Sequence, residues 1–367
     1  MKKTLAFVLG LAIATPMFAT EVAEPEAAPA PQNSVEQILA KLPVKVSGYL
    51  QTGWNWTDNG NTSSSSFQAK RLRLMVDSKV ASNVAFRLQI EAFNGIAGST
   101  NDNGQKNLQV MDAFATWKIK PQFQVRAGQF YTPMGFENYD ISPATLETVD
   151  FSNICYRMAC RNAIGYNFVD YGRDLGVMLM GDVLPSEDGF NRLSYNFAVT
   201  NGSLPCKDDN NKSKDIIGAL TYRPIKNLMI KGAYNWGEYS NGENKYLPMN
   251  RFIVGAWYNN PTGLDLRAEF GMIKSDKGNV DEKGAYVLAA YHLGKLLPVA
   301  RWDMYKDDKN TTTLNNYNRA LLGVTYEVCK NFKLQANYNH SFYSSKVEKA
   351  NGTDGADQIQ IMGLFKF

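Results

Sequence analysis

The chain has 367 residues, with 39 Lys and Arg against 35 Asp and Glu and a formal net charge of +4 at pH 7. So small and dispersed a basic excess gives no ground for a nucleic-acid partner. Two histidines and four cysteines leave little material for a metal centre, and no metal or cofactor is expected.

In chain order, Lys2 and Lys3 precede an apolar run from Leu5 to Ala14 and a small-residue end, "PMFA". This reads as a secretory signal peptide over residues 1–20, cleaved near Ala19 or Thr20. The stretch "EVAEPEAAPAPQNS" then reads as a flexible linker. Within residues 21–43 it leads into "SVEQILAKL", where Val35, Ile38, Leu39 and Leu42 fall at helical spacing behind a possible Ser34 N-cap and Gln37. No later segment is apolar for the roughly twenty residues that a transmembrane helix needs. If the protein lives in a membrane, it does so as a closed β-barrel.

From Val44 onward the period changes to two. Val44, Val46, Leu50, Trp54 and Trp56 share one face, and Lys45, Ser47, Tyr49, Gln51 and Asn55 the other. Leu72, Leu74 and Val76 oppose Arg71, Arg73 and Asp77, and Phe86, Leu88 and Ile90 oppose Arg87, Gln89 and Glu91. Strands are expected near 44–56, 67–79, 83–93, 107–119, 122–131, 171–183, 191–200 and 214–224. They continue near 227–238, 249–259, 262–274, 284–293, 297–306, 316–328, 332–343 and 357–367. Each is close to the roughly ten residues of a tilted membrane strand. The fold class is thus an all-β, antiparallel transmembrane barrel of about sixteen strands spanning 44–367.

Tight connections such as "KPQ", "RPIKN" and "NNPTG" alternate with long polar ones such as "TDNGNTSSSS", "NGSLPCKDDNNKSK" and "SSKVEKANGTDGA". Outer-membrane barrels have this asymmetry, with short periplasmic turns and long extracellular loops. An even strand count then places both termini in the periplasm. The last strand, "QIQIMGLFKF", sets Ile359, Ile361, Gly363, Phe365 and Phe367 on one face. Phe367 is expected at the membrane interface, as the terminal aromatic read by the barrel-insertion machinery.

One connection breaks the pattern: about forty residues separate Tyr131 from Tyr171. A loop of that length is usually functional. Its aromatics, Phe136, Tyr139, Phe151, Tyr156, Tyr166 and Phe168, argue that it folds into the barrel and narrows the pore. Cys155 and Cys160, in "CYRMAC", are either a disulfide or two free thiols, and Cys206 and Cys329 stand alone.

Here the sequence resembles the phosphate-selective porin O and P family, through "RAGQFYTPMGFENY", "LETVDFSN" and "YGRDLGVMLMGD", with the terminal "FKF" in agreement. The resemblance implies a sixteen-stranded porin, commonly a homotrimer, whose loop after the fifth strand forms a constriction while basic residues on the wall guide anions. Arg126, Pro133, Gly135, Glu137, Glu147 and Arg173 occupy the family's pattern, and Asp150, Arg157 and Arg161 complete the expected constriction loop.

If apolar positions face lipid, the alternate ones line the channel: Lys45, Arg71, Arg73, Arg87, Arg126, Lys231, Arg251, Arg267, Arg301, Arg319 and Lys333. Asp77, Glu91, Asp112, Asp174, Asp265, Glu269, Asp303 and Glu327 share that face. Mixed signs with a basic surplus predict a weak anion preference. Arg71 and Arg73 are either the start of an arginine ladder or part of a wall salt-bridged to Asp77, Glu91 or Asp112. No lysine-rich cluster marks a dedicated phosphate site, which would want converging guanidinium and ammonium groups.

Enzymatic motifs are lacking: His292 and His340 lie on separate strands, and Ser341 points away from its neighbour His340. Loop acids such as Asp208, Asp209, Asp307 and Asp308 read as solvated charge ahead of a calcium site. The expected function is passive diffusion of small hydrophilic or anionic solutes through a water-filled channel in the bacterial outer membrane, surrounded by its lipid. The rivals are a barrel plugged by its own loop, with a binding or adhesive role, and an outer-membrane enzyme.

Overall fold

A computed structural model describes residues 44–93, 108–161, 172–240 and 246–367, apart from 204, 207 and 210. The leader, linker and short helix expected over residues 1–43, and Tyr166 and Phe168, lie outside the described residues. Sixteen strands are present among the described residues. The first eight are β1 (Val44–Asp58), β2 (Ser63–Ala81), β3 (Val84–Glu91), β4 (Gln109–Lys120), β5 (Phe123–Tyr131), β6 (Arg173–Pro185), β7 (Asn191–Thr200) and β8 (Asp215–Ile225). The rest are β9 (Leu228–Ser240), β10 (Tyr246–Asn259), β11 (Leu264–Ser275), β12 (Val280–Tyr291), β13 (Leu296–Asp307), β14 (Tyr317–Cys329), β15 (Phe332–Tyr343) and β16 (Gly355–Lys366). Each pairs with its sequence neighbours, and β16 returns to pair antiparallel with β1, closing the barrel. Closure leaves no strand edge, so every strand backbone can be satisfied in lipid.

The alternation turns this sheet inside out relative to a water-soluble protein. Leu322 is 63% exposed on the outer surface, with Leu220, Val287, Val177 and Ile361 exposed beside it, while Gln51, Arg71, Glu91, Asn235 and Gln360 are buried inside. Exposed aromatics gather toward the two ends: Trp117, Phe123, Tyr222, Tyr291, Tyr326 and Phe365 near one, Phe67, Trp236 and Phe342 near the other. Paired aromatic belts around an apolar band are the outer signature of a membrane barrel.

The connections at one end are short, 82–83, 121–122, 226–227 and 330–331 among them; those at the other include 132–172, 201–214 and 344–354. The expected asymmetry is not uniform, since 59–62 and 276–279 at the long-loop end are as short as the turns opposite. The polar run after β1 contributes only 59–62 to the connection, because Ser63–Ser66 extend β2 and pair with β1. Thr57 and Asp58 take part in that pairing, and a serine-rich segment can form strand once a partner edge is in register.

Phe367 ends the chain at the short-turn end. Its backbone exchanges two hydrogen bonds of 3.1 Å with Gly48, and its side chain is 65% exposed. A Cβ on Gly48 would lie 2.3 Å from the Phe367 ring, so the ring lies across a site kept clear by glycine. Beside it Phe332 and Phe365 stack at 4.3 Å.

The inner face is less polar than the sequence led us to expect. Ile217, Ile253, Ile273, Leu288, Val299 and Leu321 are buried there in one cluster with Met134, Ile154, Met158 and Ala159 of the connection after β5. A strict apolar-out rule would send these inward aliphatics to lipid. They face inward because the connection supplies an apolar partner inside the barrel.

Candidate functional site

The connection after β5 starts with a closed neck: Thr132 N–H donates to Gly172 O at 2.9 Å, and Asn138 Nδ2 donates to Thr132 O at 2.8 Å. Gly135, with φ of 73°, then turns the chain into α1 (Phe136–Tyr139), a left-handed conformation costly for residues with a side chain. Phe136 N–H donates to Glu269 Oε1 at 2.7 Å, and the Phe136 ring meets Trp257 edge to face at 5.7 Å. Lys231 Nζ donates to Gly135 O at 3.1 Å and pairs with Asp140 at 2.6 Å. Pro133 is buried in the same turn.

Glu137 and Glu147 meet at Arg267. The Arg267 guanidinium grips Glu147 with two bonds, 2.7 and 3.2 Å, reaches Glu137 Oε1 at 3.3 Å, and donates to Tyr286 Oη at 3.0 Å. Fork-on-fork pairing of this kind is the strong form of an ion pair. Glu137 also accepts Ser152 N–H at 2.6 Å and has Arg301 at 4.0 Å. Burial alone pushes the Glu147 carboxyl up, but Arg267 outweighs it and holds the group below the ordinary carboxylate range.

Beyond Glu147 the segment is tied to the wall through its backbone. Lys333 Nζ and Gln335 Nε2 donate to Leu146 O, and Val149 N–H donates to Asn337 Oδ1 at 2.8 Å. Arg301 donates to Thr148 Oγ1, Asp150 O and Phe151 O while pairing with Asp303 at 2.7 Å. Asp150 pairs with Lys70 at 2.5 Å and accepts from Gln360 at 2.7 Å. Burial raises the Asp150 carboxyl, yet Lys70 and Arg71 outweigh it and leave the group well below the usual carboxylate range.

A π-helical turn, Cys155–Ala159, carries the chain past β10 to β12. Arg157 pairs with Glu282 at 2.9 Å, and Arg251 donates to Met158 O at 2.9 Å. A Cβ on Gly271 would sit 2.6 Å from Met158 Sδ, so glycine on the inner wall lets this turn approach. Cys155 and Cys160 are buried and Cys206 and Cys329 exposed; of the two alternatives for "CYRMAC", this structure has the two sulfurs unjoined by a disulfide. Arg161 pairs with Asp174 at 3.4 Å and donates to Arg173 O, and Arg173 pairs with Asp112 at 2.7 Å.

The basic residues assigned to the channel therefore divide into two groups. Arg71, Lys231, Arg251, Arg267, Arg301 and Lys333 bond to the loop, and Arg73 pairs with Glu91 at 2.8 Å; all seven are buried. This corrects the picture of a wall whose arginines all guide solute: where the loop passes they hold a belt of protein. For Arg73 the salt-bridged alternative describes the contact, whereas Arg71 reaches Val149 O and Gln51. Lys45 is exposed and Arg87, Arg126 and Arg319 partly so. Arg87 spends its charge on Asp77 at 2.7 Å. Arg126 sits over Phe114 at 4.2 Å and donates to Thr116 Oγ1, and Arg319 sits over Tyr317 at 4.4 Å and donates to Ser341 Oγ. Neither has a carboxylate within salt-bridge distance among the described residues.

Sequence reasoning missed Lys70, Asp140, Glu282, Gln335, Asn337 and Gln360 as loop contacts. Inner-face Gln and Asn carry no charge signal, and only the loop's path selects them. His340 bonds Asp357 on the outside at 2.7 Å while Ser341 is buried inside, so the two do not converge.

Residues 45–169 match the family described as phosphate-selective porin O and P, so the resemblance seen in the motifs extends over the first five strands and the loop. An uncharacterized protein of Aquifex aeolicus (strain VF5) is 33% identical over 119 residues, 31% of this chain, and the match spans only 28% of that protein's length. Among solved structures, an anion-selective porin from Comamonas acidovorans gives a TM-score of 0.64 at 15% identity, covering 88% of this chain and 99% of that one. The outer membrane channel DcaP of Acinetobacter baumannii gives 0.58 at 14%, covering 88% and 97%. The trimer form of OmpT, an outer membrane protein of Vibrio cholerae, gives 0.54 at 13%, covering 88% and 99%. The fold is that of porin barrels.

Proposed function

We propose that this chain is an outer-membrane porin: a passive channel for small hydrophilic solutes, constricted by residues 132–161 and biased weakly toward anions. The observation that carries the reading is the placement of Arg126 and Arg319. They project into the barrel, Arg126 toward the short-turn end of its strand and Arg319 toward the long-loop end of its own, each without a carboxylate at salt-bridge distance among the described residues. The bases around the loop meet acids there, Glu137, Asp140, Glu147 and Asp150 of the loop with Asp303 and Glu282 of the wall. A lumen that carries two guanidinium groups with no carboxylate beside them favours anions by charge, without the converging cluster a phosphate-specific site would need.

The reading includes a signal peptide over 1–20, both termini on the periplasmic side, insertion into the outer membrane through the Phe367 end, and a homotrimer in the lipid. It includes no catalysis. The deciding measurement is single-channel conductance of the purified protein in a planar bilayer under a salt gradient. Steady open steps with an anion-favouring reversal potential are expected. A folded, heat-modifiable barrel that passes no current would replace the channel with a plugged barrel of binding or adhesive role.

A further inference from the structure

We propose a second binding site, on the outer surface near the long-loop end, for a phosphorylated glycolipid of the surrounding leaflet. A groove of about 640 Å³ lies there across β11 to β15. Its floor is one row of paired residues, Phe270, Ala285, Met304, Asn318 and Phe342, each directly opposite the next across the strands. Bulky side chains alternate with small or polar ones in that row, which is what makes a concave strip instead of a flat lipid-facing wall. Phe270, Met304 and Phe342 are exposed and offer an acyl chain an apolar bed.

One step toward the loops the chemistry changes. Lys283 and Lys306 stand directly opposite each other on β12 and β13, a like-charge pairing that is unfavourable by itself. Both lean on a single carboxylate, Asp308, at 2.7 and 2.9 Å. Lys346, from the helix α2 (Ser345–Asn351), lines the same groove and has no carboxylate partner among the described residues. Three ammonium groups stand against Asp308, with Asp281 acting on Lys283 from the same strand face, and leave a rim with a positive surplus beside an apolar floor. That arrangement fits a lipid whose headgroup carries more than one negative charge, and Asn318 and Ser344 on the lining offer amide and hydroxyl partners to a sugar. Basic side chains at a bilayer surface attract anionic headgroups additively.

This assignment rests on the outer face being lipid-exposed, as in the porin reading. The test is native mass spectrometry of the folded protein in detergent with diphosphoryl lipid A, its dephosphorylated form, or phosphatidylglycerol. Lipid A should be retained saturably by the unaltered protein and about tenfold less by the triple variant Lys283→Ala, Lys306→Ala, Lys346→Ala. The variant Ala285→Trp, which fills the floor between Phe270 and Met304, should lose retention with every lysine in place. Equal retention by the triple variant, or equal retention of the dephosphorylated lipid or of phosphatidylglycerol, overturns the proposal. Conductance of the same preparations separates the two readings. A conducting barrel that retains no lipid A loses the groove alone, and a barrel that retains it without ever conducting keeps the groove and loses the channel.

Discussion

Arg267 on β11 and Arg126 on β5 both point into the barrel, each close to the short-turn end of its strand, yet they occupy opposite physical situations. Arg267 is enclosed by Glu137, Glu147 and Tyr286 and is fully buried. Arg126 rests on one ring and one hydroxyl and stays partly exposed. The difference arises from the loop, because residues 132–161 bring Glu137 and Glu147 to Arg267 and bring no carboxylate to within salt-bridge distance of Arg126. A charge on the inner face is therefore structural or available to solute according to whether a carboxylate, from the loop or from the wall, reaches it.

The largest expected effect comes from breaking the enclosed side. Replacing Arg267 by Leu leaves Glu137 and Glu147 buried without their main counter-charge, and breaking a buried pair by removing one partner costs about 3–5 kcal/mol. Since the barrel ladder does not depend on this residue, the cost should fall on the loop. Hydrogen exchange over residues 136–152 should accelerate, and the conductance step should grow. If exchange and conductance both match the unaltered protein, the belt is held by its apolar contacts and the ion pairs are incidental.

Acid should reach the same belt from the other partner. Glu147 and Asp150 have carboxyls held below their ordinary range, so they bind protons less readily folded than unfolded. Their contribution is fully present above the unfolded value of about 4 and is lost as the pH falls further. On this account the channel should open wider on acidification below about pH 4. In Asp150→Asn, which has already lost the Lys70 pair, the acid-induced change should be smaller. A transition centred at neutral pH would instead point to a different group.

The open side predicts a smaller effect on a different readout. Arg126→Glu and Arg319→Glu should leave exchange in the loop unchanged and move the reversal potential toward cations, by about fivefold in permeability ratio for a charge contribution of about 1 kcal/mol in water. An unshifted potential in the double variant would mean that selectivity is set elsewhere.

The sixteen strands were legible because a period of two over ten residues leaves little freedom once one face must meet lipid. Boundaries slipped where polar residues extend a strand, as at Ser63–Ser66 and at Val280–Lys283 in β12. The loop's inward course was legible from Phe136 and Phe151, aromatics too costly to leave in water. Its partners were not. Nothing local distinguishes Arg267 from Arg126, since both alternate with apolar neighbours, and their fates depend on a segment more than a hundred residues from one and adjacent to the other. Gly271 held a usable clue, for a glycine at an inner position opposite Gly284 marks a close approach by something inside the barrel.

The smallest expected effect concerns the thiols of the enclosed side. Cys155 and Cys160 bracket the π-helical turn, whose backbone is already closed by the Cys160 N–H bond to Cys155 O at 2.8 Å. Both side chains are buried in a cluster with Phe136, Leu146, Phe151 and Trp257, behaving as small apolar groups. A reductant should then change neither conductance nor the exchange of residues 153–161, and Cys160→Ala should cost only the lost packing of one sulfur. If reductant alone loosens this segment, the two sulfurs are joined in the native protein. The turn would then owe its position to a covalent closure, and the ion pairs of Arg157 and Arg161 to Glu282 and Asp174 would be consequences of that closure, not causes.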